Sequence, residues 1–570
     1  MPTQDSARTS RSAGVPTCAH LPTVATVTTE HVEVERKFEA DESLALPDLT
    51  GAGGIAAVGG PEEQALEATY YDTPDLRLLR SRVTLRRRTG GADAGWHVKL
   101  PGANGSRREL HQPPGRAART APRSVTGPVL GLLGTAAAEP VATIATRRVV
   151  HRLLDEQGRV LAELADDSVV GTALATDPGE PATVTSWREL EVELVDGDEA
   201  LLEAVAERLV AAGARPSALP SKLGRVLDGR LPAPAPPAAG PEATEHGGRG
   251  TEGRDTKGKD TKGKKRKKAA KGERLPARTA GEVVLGAVAG QLQALRDADL
   301  AVRTEQPEGV HDLRVACRRL RSILAAFRPV LDREHTDPLR TELQWVGAQL
   351  SGARDAEVAL SHLRELVAAQ PVELVLGPVA ARLQQTAIKD HEAGARRVTR
   401  TLTDRRYLQL LDALDALLAQ PPVTELAAEP SPAPLSDAVR RSGKRLRRLV
   451  EAAREAEGTE RHDLLHEVRK ATKRVRYTAE VAATEFGEPA AALVACTKEV
   501  QDLLGTAQDT VVTRDVAVRL GRAAFAAGEN AWTYGRLHAL EEARASAAED
   551  GFWTLEPGLR RAVKTVVRLA

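Results

Sequence analysis

His31-Val-Glu-Val-Glu-Arg-Lys-Phe38 is the segment that decides the fold of the N-terminal half. Glu33, Glu35 and Lys37 lie two residues apart, and side chains with that spacing point to the same face of a β-strand. Two carboxylates and one ammonium group therefore share a face. In an isolated strand this face would be solvated. Whether it points inward must therefore be inferred from the strands that follow.

Further strands with charges at alternating positions follow this segment. Period-two alternation predicts β-strands, and it occurs in residues 31–38, 83–88, 97–100, 160–165 and 187–195. One helix is predicted around residues 199–212. The charged residues that recur along this half are Arg86, Arg88, Lys99, Arg107, Glu109, Arg147, Arg148, Glu163, Asp167, Glu189, Glu191, Glu193 and Lys222.

This ordered series resembles the CYTH or triphosphate tunnel metalloenzyme family: Glu-x-Glu-x-Lys first, basic residues in the middle strands, and Glu-x-Glu near the end. The resemblance covers residues 30–228. It implies an antiparallel β-barrel around a tunnel, in which basic residues hold a triphosphate and acidic residues hold a divalent metal ion. Inward and outward side chains alternate on every strand of a closed barrel, so a barrel can carry these charges inside.

The resemblance also implies roles for individual residues. Glu33, Glu35 and Lys37 are the catalytic candidates. The implied ligands of Mg²⁺ or Mn²⁺, ions that prefer carboxylate oxygen, are Glu33, Glu35, Glu163, Asp167, Glu191 and Glu193. The implied phosphate contacts are Lys37, Arg86, Arg88, Lys99, Arg107, Arg147, Arg148 and Lys222. Hydrolysis of a triphosphate requires its charges to be neutralised, which such cations can do.

Some assignments stay open in the sequence. Arg147 and Arg148 are consecutive, so they point to opposite faces of one strand and only one of them faces the tunnel. The sequence does not say which. Residues to which we assign neither substrate nor metal contact are Tyr70, Trp96, His97, His111 and Trp187.

The C-terminal half repeats a histidine followed by three cations on one helical stripe. Residues spaced by three or four positions lie on the same face of an α-helix. One stripe consists of His311, Arg314, Arg318 and Arg321, and the second of His466, Arg469, Lys473 and Arg476. Leu350-Ser-Gly-Ala-Arg-Asp355 and Leu504-Gly-Thr-Ala-Gln-Asp509 also match at Leu, Ala and Asp. Like charges on one stripe repel, so two such stripes predict a bound anion.

This repeat resembles the CHAD domain, a helical domain of two related four-helix repeats. The resemblance implies binding of inorganic polyphosphate through the two stripes, because guanidinium groups and histidines donate hydrogen bonds to phosphate oxygen. No nucleophile–base pair is evident in this half, so we interpret it as a binding module. Asp355 and Asp509 are expected to orient basic side chains or cap helices.

The predicted fold class is a multidomain α+β protein, with an antiparallel β-barrel followed by an all-α domain. The predicted parts are a disordered lead-in (1–29), the barrel (30–228), a Pro/Ala-rich and then Gly/Lys-rich linker (229–277) and the helical domain (278–570). A linker of this composition cannot build a core. Its lysine run either binds a polyanion or keeps the tether solvated.

Composition limits the function classes. The formal net charge of the 570 residues is only +1, so any polyanion site must come from local segregation of cations. Aromatic residues make up 3%, which supplies few side chains for base stacking, and we do not expect nucleic-acid binding. Cys18, Cys317 and Cys496 form no CxxC pair. The absence of a signal-peptide core or an apolar spanning segment predicts a cytoplasmic protein, associated in the resemblance-based hypothesis with polyphosphate granules.

Three functional hypotheses remain open. The leading one is metal-dependent hydrolysis of inorganic triphosphate in the barrel, with polyphosphate retained by the helical domain. The second is a non-catalytic polyphosphate-binding or granule-targeting protein. The third is an adenylate cyclase, because the CYTH family includes such enzymes and ATP also carries a triphosphate. The preferred chain length, the oligomeric state and the communication between domains are not encoded in any recognisable pattern.

Overall fold

The computed structural model describes residues 29–102, 106–114, 120–175, 181–219, 221–230 and 278–569, without the side chains of 29–32 and 352–356. The described residues divide into two compact units. One unit is drawn from the described residues up to 230 together with 296–312 and 392–412, and the other from residues 278–295, 313–391 and 413–569. The predicted lead-in before residue 29, the linker after residue 230 and the side chain of Asp355 lie outside the described residues.

The first unit is built on an antiparallel sheet of eleven strands. The strands are β1 (Thr29–Glu33), β2 (Glu35–Ala40), β3 (Ala57–Val58), β4 (Glu62–Asp72), β5 (Thr84–Thr89), β6 (Gly95–Pro101), β7 (Arg107–Gln112), β8 (Glu139–Leu154), β9 (Val160–Ala173), β10 (Thr183–Leu194) and β11 (Arg215–Pro216). They pair in the order β1-β7-β6-β5-β4-β8-β9-β10-β2-β11, and β3 pairs with β8.

β1 lies at one end of this order, and β2, the next strand along the chain, lies beside β11 at the other end. β1 pairs with β7, β2 pairs with β10, and Val34 alone separates β1 from β2. Among the described strands no ladder joins β1 to β2, so the sheet is hydrogen-bonded as an open ladder, although the sequence predicts a closed barrel. Because the chain itself bridges the two ends, the side chains of one sheet face still surround a common cavity.

Short helices accompany the sheet. They are α1 (Arg77–Arg80), α2 (Arg123–Thr126), α3 (Leu130–Leu133), α4 (Glu199–Ala211) and α5 (Lys222–Val226). The side chain of Asp198 accepts a hydrogen bond from the Leu201 backbone N–H at 3.0 Å and so caps α4. The predicted strands and the predicted helix of this half all have observed counterparts.

The strands nearest α4 are buried on both faces. Phe38 on β2 and Leu190 on β10 belong to a core cluster that also contains residues of α4. Lys37 and Glu191, their neighbours in sequence, line the cavity on the opposite face. The two-residue period of a strand thus separates an apolar layer from a charged interior.

The described range 278–569 is helical, as predicted. Its helices are α6 (Ala280–Arg303), α7 (Gly309–Ala326), α8 (Arg333–Ala368), α9 (Val379–Thr403), α10 (Arg405–Ala419), α11 (Pro432–Glu455), α12 (Gly458–Phe486), α13 (Glu488–Ala526) and α14 (Trp532–Val567). The matched stripes lie on α7 and α12, and the matched Leu-Ala-Asp segments lie on α8 and α13. The repeat therefore relates α6–α9 to α11–α14. Within the described part of the chain, no helix combines the length and the apolar character needed to cross a membrane.

A buried carboxylate connects β4 to α1. Asp72 is 0% exposed, and its two oxygens accept hydrogen bonds from the backbone N–H groups of Thr73 at 2.7 Å, Leu78 at 2.9 Å and Leu79 at 2.9 Å. Buried backbone N–H groups require acceptors of this kind.

Asp72→Ala should lower the free energy of unfolding of this unit by about 2–4 kcal/mol, because it leaves buried N–H groups without acceptors. Asp75→Ala is the matched control. Asp75 lies in the same turn but its side chain is 47% exposed, so its loss should cost less than about 1 kcal/mol. Chemical denaturation of both variants measures the difference, and equal losses would contradict the role of Asp72.

Candidate active site

The curved sheet encloses a cavity of about 420 Å³. Side chains from β1, β2, β4–β10 and α5 line it, so most strands of the sheet contribute. Its charged lining residues are Glu33, Glu35, Lys37, Arg86, Arg88, Asp93, Lys99, Arg107, Glu109, Arg148, Glu163, Glu191, Glu193 and Lys222. Carboxylates and cations are thus mixed within one enclosed space.

A cluster of buried carboxylates lies on β9 and β10. Asp167, Glu189 and Glu191 each offer an oxygen, and these oxygens lie within 4.8 Å of one another. Asp167 and Glu189 are paired in the strand register, whereas Glu191 follows two residues later on the same face. Lys222 Nζ lies 2.9 Å from Asp167, 2.5 Å from Glu189 and 2.7 Å from Glu191.

Arg148 contacts the same cluster from β8. Its guanidinium forms two hydrogen bonds with Asp167, at 2.8 and 2.7 Å, and one with Glu191 at 2.6 Å. Burial would raise the pKa of Glu191, but Lys222, Lys37 and Arg148 together hold that pKa well below its ordinary value. The carboxylate therefore stays ionised although it is 8% exposed.

The position of Lys222 depends on the docking of α5. Ser221 caps this helix by accepting a hydrogen bond from the Gly224 N–H at 3.0 Å. The helix packs against β9 at Gly171, where a Cβ atom would lie 2.2 Å from Val226 Cγ2. A side chain at residue 171 would therefore push α5, and Lys222 with it, away from the sheet.

Glu33 ends β1, and Glu35 and Lys37 lie at the start of β2. Lys99 Nζ lies 2.6 Å from Glu33 Oε2, and Lys37 Nζ lies 3.1 Å from Glu35 Oε2. Lys37 also contacts Glu191. Burial, followed by the neighbouring carboxylate of Glu109, raises the pKa of Glu33 to about 8 in spite of Lys99.

Arginines occupy the opposite part of the cavity, on β5. Arg86 lies 3.4 Å from the Tyr70 hydroxyl and 3.4 Å from Glu109, and Arg88 contacts Asp93. Burial and the adjacent positive charge of Arg86 lower the pKa of Arg88 to about 10. Two guanidinium groups that repel each other in this way would be stabilised by an anion between them.

The structure separates the two consecutive arginines of β8. Arg148 points into the cavity, whereas the Arg147 side chain is 67% exposed and pairs with Glu63 on the outside at 3.2 Å. Arg107 and Glu193 line the cavity. Glu163 also lines it but is 42% exposed and lies 3.3 Å from Arg152. The predicted tunnel residues thus line the cavity, except Arg147, which lies outside, and Asp167, which lies behind the lining and contacts Arg148 and Lys222.

The carboxylate cluster has the chemistry that a hard divalent cation requires. Its three members offer oxygen ligands only, and all three are buried within reach of one ion. Mg²⁺ and Mn²⁺ prefer such oxygen donors. Asp167, Glu189 and Glu191 therefore fit a divalent metal ion. Next to Glu191 on the same strand face, Glu193 of β10 is paired with Glu35 of β2 in the strand register.

The basic residues of the helical half form a second candidate site. Burial, followed by the positive charges of Arg469, Arg318 and Arg314, lowers the pKa of Lys473 to about 7, and Asp509 opposes this effect. These side chains come from α7 and α12, so both predicted stripes contribute to one basic cluster. Burial together with Arg340 and Arg318 likewise lowers the pKa of Arg321.

Other members of the stripes have individual environments. Arg476 donates to Glu480 at 2.9 Å, and Arg318 donates to the Tyr477 hydroxyl at 3.2 Å. His466 Nδ1 is buried and has no hydrogen-bond partner among the described residues. His311 is exposed on α7. Arg476 is thus held in an ion pair with Glu480, while Arg318 contacts a neutral hydroxyl.

Comparison with protein families agrees with both halves of this description. The CYTH domain model matches residues 31–217, and the CHAD domain model matches residues 286–518. The chain is a CYTH–CHAD protein. An uncharacterized protein of Mycobacterium tuberculosis is 35% identical over 558 residues, which cover 96% of this chain and 99% of that protein.

Other relatives match one domain at a time. Human thiamine-triphosphatase is 33% identical over 136 residues, which cover 22% of this chain and 55% of that enzyme. PptA from Streptomyces chartreusis has a TM-score of 0.42 at 20% identity and covers 49% of this chain and 99% of its own. The CHAD domain from Ricinus communis has a TM-score of 0.37 at 22% identity, over 52% of this chain and 93% of its own.

At the level of the family, the CYTH domain match and the similarity to thiamine-triphosphatase support a triphosphate hydrolase. The CYTH family is metal-dependent, which agrees with the buried acidic cluster. CHAD domains are associated with polyphosphate. The inorganic substrate, the identity of the metal and the ligand of this particular CHAD domain are finer questions.

The sequence interpretation missed several side chains of the CYTH cavity. Glu189 belongs to the acidic cluster, and its position two residues before Glu191 was the available signal. Glu109 accepts from His97 Nδ1 at 2.9 Å and from Arg86, and it alternates with Arg107. Tyr70 contacts Arg86 across β4 and β5, a pairing that no local pattern indicates.

The raised pKa of Glu33 predicts a pH-dependent metal affinity. The family resemblance implies that Glu33 is a metal ligand, and below pH 8 its buried carboxyl holds a proton that a metal ion bound there would displace. On that expectation, Mn²⁺ affinity should rise by up to about tenfold per pH unit between pH 6 and 8. Calorimetry in buffers of different ionisation enthalpy measures the released proton. Glu33→Gln should abolish this proton release, whereas Glu63→Gln, on the outer surface, should keep it. A pH-independent affinity would contradict the assignment.

Proposed function

We propose that the CYTH domain hydrolyses inorganic triphosphate with Mg²⁺ or Mn²⁺ as its metal. The observation that carries the proposal is a cavity of about 420 Å³ that is lined by buried cations and by Glu191, a member of the buried carboxylate cluster. A triphosphate bears several negative charges, and its hydrolysis depends on their neutralisation. Both halves of that requirement lie within the same enclosed space.

The ion pairs of the cavity indicate how ligands would be accommodated. Lys222 and Arg148 are paired with the carboxylates Asp167, Glu189 and Glu191. A divalent ion bound to these carboxylates would supply positive charge and polarise a phosphoryl oxygen. Lys222 and Arg148 would then be available for phosphate oxygens. The carboxylates would exchange these cations for the metal ion, and the cations would exchange the carboxylates for phosphate.

The proposed reaction is attack of a water molecule on a terminal phosphorus atom. A new P–O bond forms, the P–O bond to the bridging oxygen breaks, and diphosphate leaves with the bond electrons. Arg86 and Arg88 neutralise charge on the phosphate chain. Glu33, whose pKa is raised to about 8, would accept the proton of the attacking water in its ionised form, which a bound divalent metal ion would favour. Lys37 forms ion pairs with Glu35 and Glu191 and so would orient both carboxylates in the cavity.

Other triphosphate substrates are the nearest alternatives. The similarity to human thiamine-triphosphatase makes thiamine triphosphate a second candidate. ATP is a third, and formation of cyclic AMP from it would identify an adenylate cyclase. A protein that binds triphosphate and polyphosphate without turnover remains the non-enzymatic alternative. One panel of substrates separates these four cases.

Arg148→Gln and Arg147→Gln form a matched pair for testing the cavity. Arg148 contacts the carboxylate cluster, whereas Arg147 lies on the outside of the same strand. Phosphate release from triphosphate in the presence of Mg²⁺ or Mn²⁺ should fall by about 100-fold or more in Arg148→Gln. Arg147→Gln should remain within about twofold of the wild type, because an exposed ion pair contributes little.

The same assay decides among the alternatives. Faster release from thiamine triphosphate than from inorganic triphosphate would assign the site to the organic substrate. Release that persists without any divalent metal would contradict the metal-dependent mechanism. Binding of triphosphate without turnover of any member of the panel would leave a binding protein.

For the CHAD domain we propose binding of inorganic polyphosphate by the cluster around Lys473. Several cations from α7 and α12 lower the pKa of Lys473, and Asp509 is the acidic residue that opposes them. A chain of phosphates would neutralise this excess of positive charge. The tethered domain would raise the local concentration of substrate. A cytoplasmic protein associated with polyphosphate granules is the cellular expectation.

Polyphosphate binding should weaken with increasing pH because of Lys473. Its pKa is lowered to about 7, so at pH 8 the amine is mainly neutral, and a bound anion must draw a proton onto it. From about pH 7 upward the affinity should fall by up to about tenfold per pH unit until the pKa of the bound state is reached. Lys473→Met should remove this dependence, whereas Lys470→Met, which changes a half-exposed lysine paired with Glu467, should retain it. Uniform affinity from pH 7 to 9 in the wild type would count against the proposal.

A further inference from the structure

Trp187 and Glu189 share the inner face of β10, because they lie two residues apart on one strand. The indole Nε1–H of Trp187 donates a hydrogen bond to Glu189 Oε2 at 2.6 Å. The other carboxylate oxygen, Oε1, lies 2.5 Å from Lys222 Nζ. The two oxygens of Glu189 therefore have different partners, and only Oε1 belongs to the charged centre of the cavity.

The indole itself is held on two sides. Behind it lies Gly171 of β9, where a Cβ atom would be 3.2 Å from the six-membered ring of Trp187. In front of it, the Arg225 guanidinium lies over the ring at 5.3 Å from the ring centroid. Arg225 is in turn fixed by Glu39, at 2.6 Å. The N–H group of Trp187 thus has a defined direction.

Rotation of Glu189 away from this N–H would be costly. The carboxylate is 7% exposed, so water does not readily replace it as the acceptor. A partly buried indole N–H without an acceptor loses a charge-assisted hydrogen bond. Glu189 is consequently restricted to offering one oxygen, Oε1, to the centre of the cluster.

The number of oxygens that Glu189 can offer affects which cation the cluster favours. Ca²⁺ takes six to eight oxygen ligands and often uses both oxygens of a carboxylate, whereas the smaller Mg²⁺ prefers octahedral sites and retains water. A site that restricts Glu189 to a single oxygen therefore disfavours the larger ion.

We infer that Trp187 is a positioning residue that limits Glu189 to single-oxygen coordination and so selects Mg²⁺ or Mn²⁺ over Ca²⁺. This inference rests on the proposed metal site of the CYTH domain. It gives Trp187 a role in metal selectivity, where the sequence suggests packing alone. The role acts through Glu189, since the indole does not itself reach the cluster centre.

The test compares metal affinities of the full-length protein by calorimetry, using Mn²⁺ alone and Ca²⁺ alone. Trp187→Phe retains the aromatic packing but removes the N–H donor. We expect the ratio of Mn²⁺ affinity to Ca²⁺ affinity to fall by about tenfold, in the range found when outer-shell partners of metal ligands are lost. Trp187→His, which keeps a ring N–H, should restore part of this ratio. Arg225→Gln removes the cation over the ring and keeps the donor, so it should change the ratio by less than about twofold.

Each outcome bears on the inference. A lower ratio in Trp187→Phe, with partial recovery in Trp187→His, supports it. Equal loss of both affinities in Trp187→Phe, with the ratio unchanged, overturns it and leaves a packing residue. Equal ratios in the Phe and His variants also overturn it. If Glu191→Gln changes the binding of neither ion, the proposed metal site is wrong. This failure can be told apart from failure of the inference about Trp187, because it is seen without any Trp187 variant. Thermal denaturation without metal confirms that each variant is folded.

Discussion

Mutual neutralisation of buried opposite charges is the constraint on which the CYTH domain depends. Glu191 is reached by Lys37, Arg148 and Lys222, each from a different element of the fold. An isolated carboxylate at this burial would be protonated or would disrupt the core, and removal of a single partner leaves an uncompensated charge. The sheet must therefore bring β2, β8, β10 and α5 together with a precision that an apolar core would not demand.

The apolar layer of the domain serves this requirement. Phe38 and Leu190 anchor the outer faces of the strands whose inner faces carry Lys37 and Glu191. The glycine at position 171 allows α5 to approach the sheet closely. Stability comes mainly from the outer contacts, whereas the interior charges specify the ligands. A cavity built in this way is suited to exchange its internal ion pairs for those of a metal and a polyanion.

The CHAD domain uses charge in a different way. Its basic cluster brings like charges together, and burial, followed by the charges of Arg469 and Arg318, lowers the pKa of Lys473. Asp509 opposes the repulsion in part. The two domains therefore have different electrostatic surroundings: a cavity with balanced charges in one and a cationic cluster in the other. This difference agrees with the proposed catalysis in the first domain and with the proposed retention of a phosphate chain in the second.

The sequence by itself determined the alternation of strands, the shared face of Glu33, Glu35 and Lys37, and the repeated helical stripes, because these are properties of residues close together in the chain. Only the tertiary structure decided that Arg148 rather than Arg147 faces the cavity. It also added Glu189 to the acidic cluster and opened the ladder between β1 and β2. Strand register and the direction in which a sheet curves are set by contacts between distant segments, and no local spacing encodes them.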